Sequence, residues 1–434
     1  MDVASITRLT VRRGVVQGGT GEEQTGRITA GARSGVGNVV CRNGDRGSAM
    51  RGEARYGLEH ELALLQDDGT VADHRSLTHA EVAAVVDELP ELPDDQSDLR
   101  IGDAGIRCKR WYAEGYERLD PDGELLRFDP KGIEIRTCVH DSVEAAVDAL
   151  AADAVTLAGV AARHGLRPVA FGHHPELSAY RLDPPPNAHE RALMAASPEE
   201  RTSHLHMVTW GPDLNLSFPE SGTDPRVLAD AAAKLTFYSP YLVPWSFSSP
   251  FRDGRPWGGL SARTARRTGP RPAALAYLPP GTPLLATDPS LVRHAGIPGE
   301  VGRIEFKAFD AVPVVVGEEP AEGVGTELPA ALLSLLTGLL RDDTLPGRRR
   351  TPDAAAHRRS ALRGWSDAAV RVGSHAVLDA ATAALAGDDA HLARLASLAR
   401  RLARRETPAD RMLARHRAGG GIPGLGHPVP RGTG

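Results

Sequence analysis

Lysine is nearly absent. Lys109, Lys131, Lys234 and Lys307 are the only lysines in 434 residues, and arginine carries almost all of the basic charge. Together with the many Ala, Gly and Pro residues, this is a habit of composition that assigns no function. Cysteine is equally scarce: Cys41, Cys108 and Cys138 are odd in number and far apart. That argues against a disulfide framework and against a cysteine-based zinc module. The apolar runs fall short of the ~20 residues a membrane helix needs. Residues 1–49 lack the continuous apolar segment of a secretory signal, so the cytoplasm is the expected compartment. The formal charge of −5 is small for this length and gives no electrostatic reason to expect nucleic acid or a membrane surface. What is present, 41% hydrophobic and 25% charged residues, suffices for a large globular core.

Hydrophobic patterning begins abruptly after Met50. Residues 1–49, rich in Gly, Arg, Thr and Ser, are expected to form a disordered arm or to precede the true start of the chain. Strand patterns follow at 56–65, 131–137, 167–171, 204–210, 213–218 and 302–309, with a hairpin-like pair at 106–112 and 115–119. Asp141, with Glu144 three residues on, opens a long Ala-rich helix that Gly165 stops. Asp224 and Pro225 open another. Beyond 326 the chain reads as helices at 327–341, 352–370, 375–386 and 388–404. In the last of these Leu392, Leu395, Leu398 and Leu402 form a stripe, so its arginines are an outer solvated face rather than a nucleic-acid surface. Residues 419–434 are Gly/Pro-rich and expected to be a flexible tail. The pattern predicts one α+β domain over 50–418, an antiparallel sheet backed by long helices with a polar face.

That polar face is where the chemistry lies. Side chains two apart on a strand share a face. Glu59 and Glu61 oppose Leu58 and Leu62. Glu134 and Arg136 oppose Ile133 and Ile135, and Glu305 and Lys307 oppose Ile304 and Phe306. Asp213, Asn215 and Ser217 oppose Leu214, Leu216 and Phe218; His204 and His206 form a further doublet. One such strand is most simply the wet side of an antiparallel sheet. The set is more informative, because its wet residues are mainly Glu, Asp, Asn, Arg and His. Hard oxygen donors suit Mg²⁺, and arginine suits phosphate or carboxylate.

The ordered motifs resemble the second class of glutamate–cysteine ligases, the carboxylate–amine ligases with a glutamine synthetase-like fold. Gly57-Leu-Glu-His-Glu-Leu62 is similar to the opening strand of that family. Ile133-Glu-Ile-Arg-Thr137, with the helix after Asp141 and Gly165-Leu-Arg-Pro-Val-Ala-Phe-Gly-His-His-Pro175, resembles the next block. Ser248-Ser-Pro-Phe251, Gly259-Leu-Ser-Ala-Arg263 and Thr268-Gly-Pro270 resemble its Asn-Ser-Pro-Phe and Ser-x-Arg segment, and Gly302-Arg-Ile-Glu-Phe-Lys-Ala-Phe-Asp310 its Glu-φ-Arg-x-x-Asp strand. The likeness spans about 56–310. Ser248 stands where the family often has Asn, and Lys307 where it usually has Arg.

The resemblance implies that Glu59, Glu61, Glu134 and Glu305 hold Mg²⁺ ions bridging the phosphates of ATP. It implies that Arg263 contacts phosphate or the substrate carboxylate, with Lys307 nearby. For the central His-x-His or His-x-Asn strand, His204-Leu-His206 and Asp213-Leu-Asn215 compete, and His206 and Asn215 are carried as candidates. The implied reaction joins the γ-carboxylate of glutamate to cysteine or another amino acid through an acyl phosphate. A carboxylate is a poor electrophile and repels the phosphoryl group it must attack, so such a site has to supply Mg²⁺ and Arg. A metal-dependent amide hydrolase using the same residues is an alternative, as is a degenerate binding protein of the same fold.

Overall fold

The central strand, β1 (Arg55–Gln66), alternates as its sequence predicts: Leu58 and Leu62 are buried on one side, and Glu59 and Glu61 lie on the other. In the computed structural model, which describes residues 49–92, 109–196, 201–220, 222, 224–267, 271–314 and 326–430, the other strands assemble around it. They are β2 (Trp111–Leu119), β3 (Leu125–Arg136), β4 (Leu166–Ala170), β5 (Pro212–Ser217), β6 (Ala274–Leu278), β7 (Val292–His294) and β8 (Ile304–Phe306). Their order is β7-β6-β8-β5-β1-β3-β2, and β4 pairs with the far end of β1. The pairings are antiparallel except β7 with β6. The expectations for residues 1–48, 106–108, 268–270 and 431–434 lie outside the described residues.

The apolar face is made by Leu58, Leu62, Ile133, Ile135, Leu214, Leu216, Ile304 and Phe306, all buried. Helices cover it. α1 (His79–Glu88) lies against β2 and β3, α2 (Val143–Arg163) against β1 and β4, and α3 (Pro225–Leu242) against β6 and β8. After the short α4 (Ala262–Arg267) come α5 (Glu327–Arg341), α6 (Ala368–Ala384) and α7 (Asp389–Arg404), which pack on one another. The leucine stripe of α7 is buried at Leu395, Leu398 and Leu402. Asp224 caps α3 by accepting from the Arg226 N–H, with Pro225 in the first turn. The fold is α+β, with one face of the sheet buried and the other polar.

Several expectations change. The cap of α2 is Ser142, whose side chain accepts from the Ala145 N–H, one residue past Asp141. Gly165, with φ +69°, follows that helix as expected. By length and composition α2 is apolar enough to cross a membrane, which the run-length reading missed because acidic residues interrupt its Ala-rich sequence; half of its apolar window is buried against the fold. Trp111–Leu119 is one strand whose partner is Leu125–Arg136, not half of a pair with 106–112. Residues 203–208 form a 3₁₀ turn where a strand was expected; of the expected strand 204–210 only Thr209 makes a bridge, to His173. Helix 352–370 is broken by Gly364 at φ +47°. The tail expected to be loose is tied in at His427–Pro428, which pairs with β4, and the Val429 N–H donates to Pro168 O at 3.1 Å.

β2 and β3 also share an irregularity. Glu114 is opposite Gly132, but its neighbour Gly115 is opposite Pro130, leaving Lys131 as an extra residue. Both glycines are needed for the close approach. A Cβ on Gly115 would lie 2.2 Å from Asp129 O, and one on Gly132 would lie 2.1 Å from Leu62 O.

Candidate active site

Strand register alone gathers the acidic residues. Glu59 is opposite Asp213 on β5 and Arg136 on β3, and Glu61 is opposite Glu134. Asn215 lies between Gly57 and Glu305. Among the described residues two carboxylate groups result. Ligand oxygens of Glu59, Glu134 and Asp213 lie within 4.8 Å of one another, and so do those of Glu61, Glu114 and Glu134. Glu134 belongs to both and is buried. Its carboxyl is pushed well above the usual range by burial first, then by Glu114, Glu59 and Glu61. Burial also pushes Glu59 up, with Arg303 opposing. Carboxylates held this close and this dry call for positive charge.

Three side-chain cations meet that demand in part. Arg303 donates to Glu59 Oε1 at 2.9 Å, pairs with Glu300 at 3.3 Å and Glu305 at 3.7 Å, and lies over the Tyr277 ring. Lys307 pairs with Asp213 and, at 3.0 Å, with Glu305. The Tyr277 hydroxyl donates to Glu305 Oε2 at 2.9 Å. Lys131 donates to Glu61 Oε1 at 2.6 Å and lies 3.5 Å from Glu114. Asn215 donates through Nδ2 to Glu59 Oε1 at 3.2 Å, yet among the described residues its buried Oδ1 has no hydrogen-bond partner. An orphaned amide oxygen beside three convergent carboxylates is a donor set that fits Mg²⁺. A cleft of about 310 Å³ opens over Glu59, Asn215, Tyr277, Arg303, Glu305 and Lys307.

Arg263 sits behind this cleft rather than in it. It lies in the first turn of α4, not in a loop, and is 2% exposed. Its Nη2 donates to Lys307 O at 3.1 Å, while among the described residues Nε and Nη1 have no partner. Burial works against its charge, and Asp310, Glu61 and Asp213 work for it. Asp310 is itself fully buried. It accepts from the Ser248 N–H at 3.0 Å, from Ser249 Oγ at 2.6 Å and from Ser261 Oγ at 2.8 Å. The Ser248-Ser-Pro-Phe251 and Ser261-x-Arg263 segments therefore meet at Asp310.

Of the predicted site residues, the sheet brings together Glu59, Glu61, Glu134, Asn215, Glu305 and Lys307. Of the two competing stretches, Asp213-Leu-Asn215 lies in a strand, β5, beside β1. His206 is in the 3₁₀ turn, its Nε2 2.8 Å from Gly115 O. Asp213 was visible in the strand alternation but not chosen as a ligand. Glu114 would have emerged by carrying the alternation of Tyr112 through Glu114, had the strand not been cut there. Arg303 alternates with Glu305 and was passed over.

The sequence matches the family described as glutamate-cysteine ligase family 2 over residues 55–280, more than half of the chain. The chain belongs to that family. Glutamate-cysteine ligase family 2 is a family of ATP-dependent ligases that form a C–N bond, and of the residues described above Glu300, Arg303, Glu305, Lys307 and Asp310 lie beyond the matched range. No curated protein matches the sequence. Among solved structures the chain is similar to a bifunctional glutathione synthetase from Pasteurella multocida, with 13% identity and a TM-score of 0.49. The match covers 86% of this chain and 51% of that one, so the chain spans about half that protein's length. It is also similar to a glutamate–cysteine ligase from Francisella tularensis in complex with AMP, with 11% identity, 87% of each chain covered and a TM-score of 0.48. Neither likeness bears on substrate.

Proposed function

We propose that this family member is an ATP-dependent carboxylate–amine ligase that joins the γ-carboxylate of glutamate to the amine of cysteine or another amino acid. The observation that carries the reading is the convergence of Glu59, Glu134 and Asp213 within 4.8 Å on one sheet face, in a chain of this family. Those carboxylates, with the Asn215 amide oxygen, would hold Mg²⁺, which supplies positive charge between the nucleotide phosphates and the attacking carboxylate. Arg303 and Lys307 line the cleft and give it cations that exchange a carboxylate partner for phosphate or substrate. Tyr277 holds Glu305 in place. The Nε and Nη1 donors of Arg263, which have no partner among the described residues, suit a phosphate or carboxylate oxygen reaching the small cavity it shares with Arg271 and Lys307. In the reaction, a carboxylate oxygen attacks the γ-phosphorus and ADP departs; the amine nitrogen then attacks the acyl carbon and phosphate departs.

A screen of ATP turnover across amino-acid pairs, with mass detection of the product, tests this. ADP release that requires both glutamate and an amine, with a product of the summed mass less one water, is expected. Cleavage of a γ-glutamyl amide by water without ATP would make the protein a hydrolase, and absence of nucleotide binding would make it a binding protein.

A further inference from the structure

The second carboxylate group, Glu61, Glu114 and Glu134, already contains a cation. Regular alternation back from Glu134 and Ile133 would aim Lys131 at the apolar face of β3. The extra residue opposite Glu114 and Gly115 prevents that. A β-bulge re-aims a side chain, and here it turns Lys131 to the polar face. Its ammonium donates to Glu61 Oε1 at 2.6 Å, to Thr209 O at 3.1 Å and to His206 O at 3.2 Å, and it faces Glu114 at 3.5 Å. Three N–H groups have three acceptors, so the ammonium is fully satisfied. The other oxygen of Glu61 accepts from the Gly211 N–H at 2.8 Å.

Lys131 differs from the cations of the neighbouring cluster. The Arg303 and Lys307 side chains are 17% and 14% exposed and border the cleft. That of Lys131 is 0% exposed and is held by backbone carbonyls as well as carboxylates. A divalent ion bonded to Glu61 and Glu114 would need the space this ammonium fills, since Mg²⁺ sits only about 2.1 Å from its oxygens. It would also meet a positive charge that has no route to solvent.

We propose that Lys131 permanently fills the Glu61–Glu114–Glu134 cluster in place of a divalent cation, so that the protein takes up its metal only at Glu59, Glu134 and Asp213. This rests on the metal reading given under the proposed function.

The test is the number of Mn²⁺ ions bound by the full chain, read from the free Mn²⁺ signal by electron paramagnetic resonance with the metal alone. Glu114→Gln is expected to keep the wild-type number of ions and an affinity within about twofold, while Asp213→Asn weakens binding by about tenfold or more. Lys131→Met is expected to bind one additional Mn²⁺ per chain. Loss of an ion in Glu114→Gln overturns the proposal, and so does a folded Lys131→Met that gains none. If thermal melting shows that Lys131→Met does not fold, the Glu114→Gln result decides alone. Wild-type protein that binds no Mn²⁺ overturns the metal reading itself, and this inference falls with it.

Discussion

At the scale of single residues, charge placement is the governing fact. Three of the four lysines of this arginine-rich chain are used where a compact charge must satisfy several acceptors out of water. Lys109 donates to Val86 O and Leu89 O, each at 2.8 Å, and Lys234 donates to Leu339 O and to Asp342 Oδ2. Both are buried, as Lys131 is. Arginine's planar fork does not fit such tetrahedral settings. Two predictions belong at this scale. Glu59→Gln removes a charged oxygen from the Glu59–Glu134–Asp213 group and leaves no cavity. Activity in the ligase assay is expected to fall by on the order of 100-fold or more, as when one strong transition-state contact is lost. The melting temperature should barely move, and full activity in Glu59→Gln and Asp213→Asn together would remove the metal assignment. Arg263→Lys keeps the charge but loses the fork whose Nε and Nη1 have no partner among the described residues. Its KM for ATP or for the donor carboxylate should rise; unchanged kinetics would make Arg263 a purely structural residue.

At the scale of elements, the β2–β3 bulge decides what the site contains, and it explains the limits of the sequence reading. Glu59, Glu61, Glu134, Asn215 and Glu305 were legible because period-two alternation holds where strands are regular. Alternation cannot reveal a bulge, so nothing in the sequence points Lys131 to the polar face, and Glu114 was lost in a strand cut short. The His204-Leu-His206 doublet misled for a related reason: two polar residues flanking an apolar one fit a strand, yet a 3₁₀ turn there lets His206 O and Thr209 O accept from Lys131. Only tertiary contact distinguishes these. Gly132 tests the element directly. In Gly132→Ala the new methyl would meet Leu62 O at 2.1 Å, so β1 and β3 would have to separate. Overpacking of this kind costs about 1–3 kcal/mol, measurable by urea unfolding. A stability within about 0.5 kcal/mol of wild type would show that the strands yield freely.

At the scale of the whole molecule, the core holds ionisable groups that fold in their neutral form, and this gives stability a pH dependence separable from catalysis. His173 and His357 are 2% and 1% exposed and belong to different elements. Each donates through Nδ1 to a carbonyl, His174 O at 2.8 Å and Asp353 O at 3.1 Å. Burial pushes His173 down to about 3, with Arg266, His174 and Arg252 adding to the effect. Burial pushes His357 down to about 4, where Asp353 opposes the shift and Arg349 adds to it. The unfolded chain protonates both near 6.5. As pH falls through 6.5 the unfolded state gains protons that the native state refuses, so stability drops until the folded values are reached. Between pH 7.5 and 5.5 each histidine should remove on the order of 1 kcal/mol, and the two together roughly twice that. Glu134, raised well above the usual carboxylate range, acts in the opposite sense, so the wild-type slope alone does not isolate the histidines. The difference between variants does. Urea unfolding at the two pH values is expected to show a loss smaller by on the order of 1 kcal/mol in His173→Gln or His357→Gln, and by roughly twice that in the double variant. A pH response identical to wild type in all three would mean that these rings are protonated in the native protein, and that its interior admits charge where the packing indicates none.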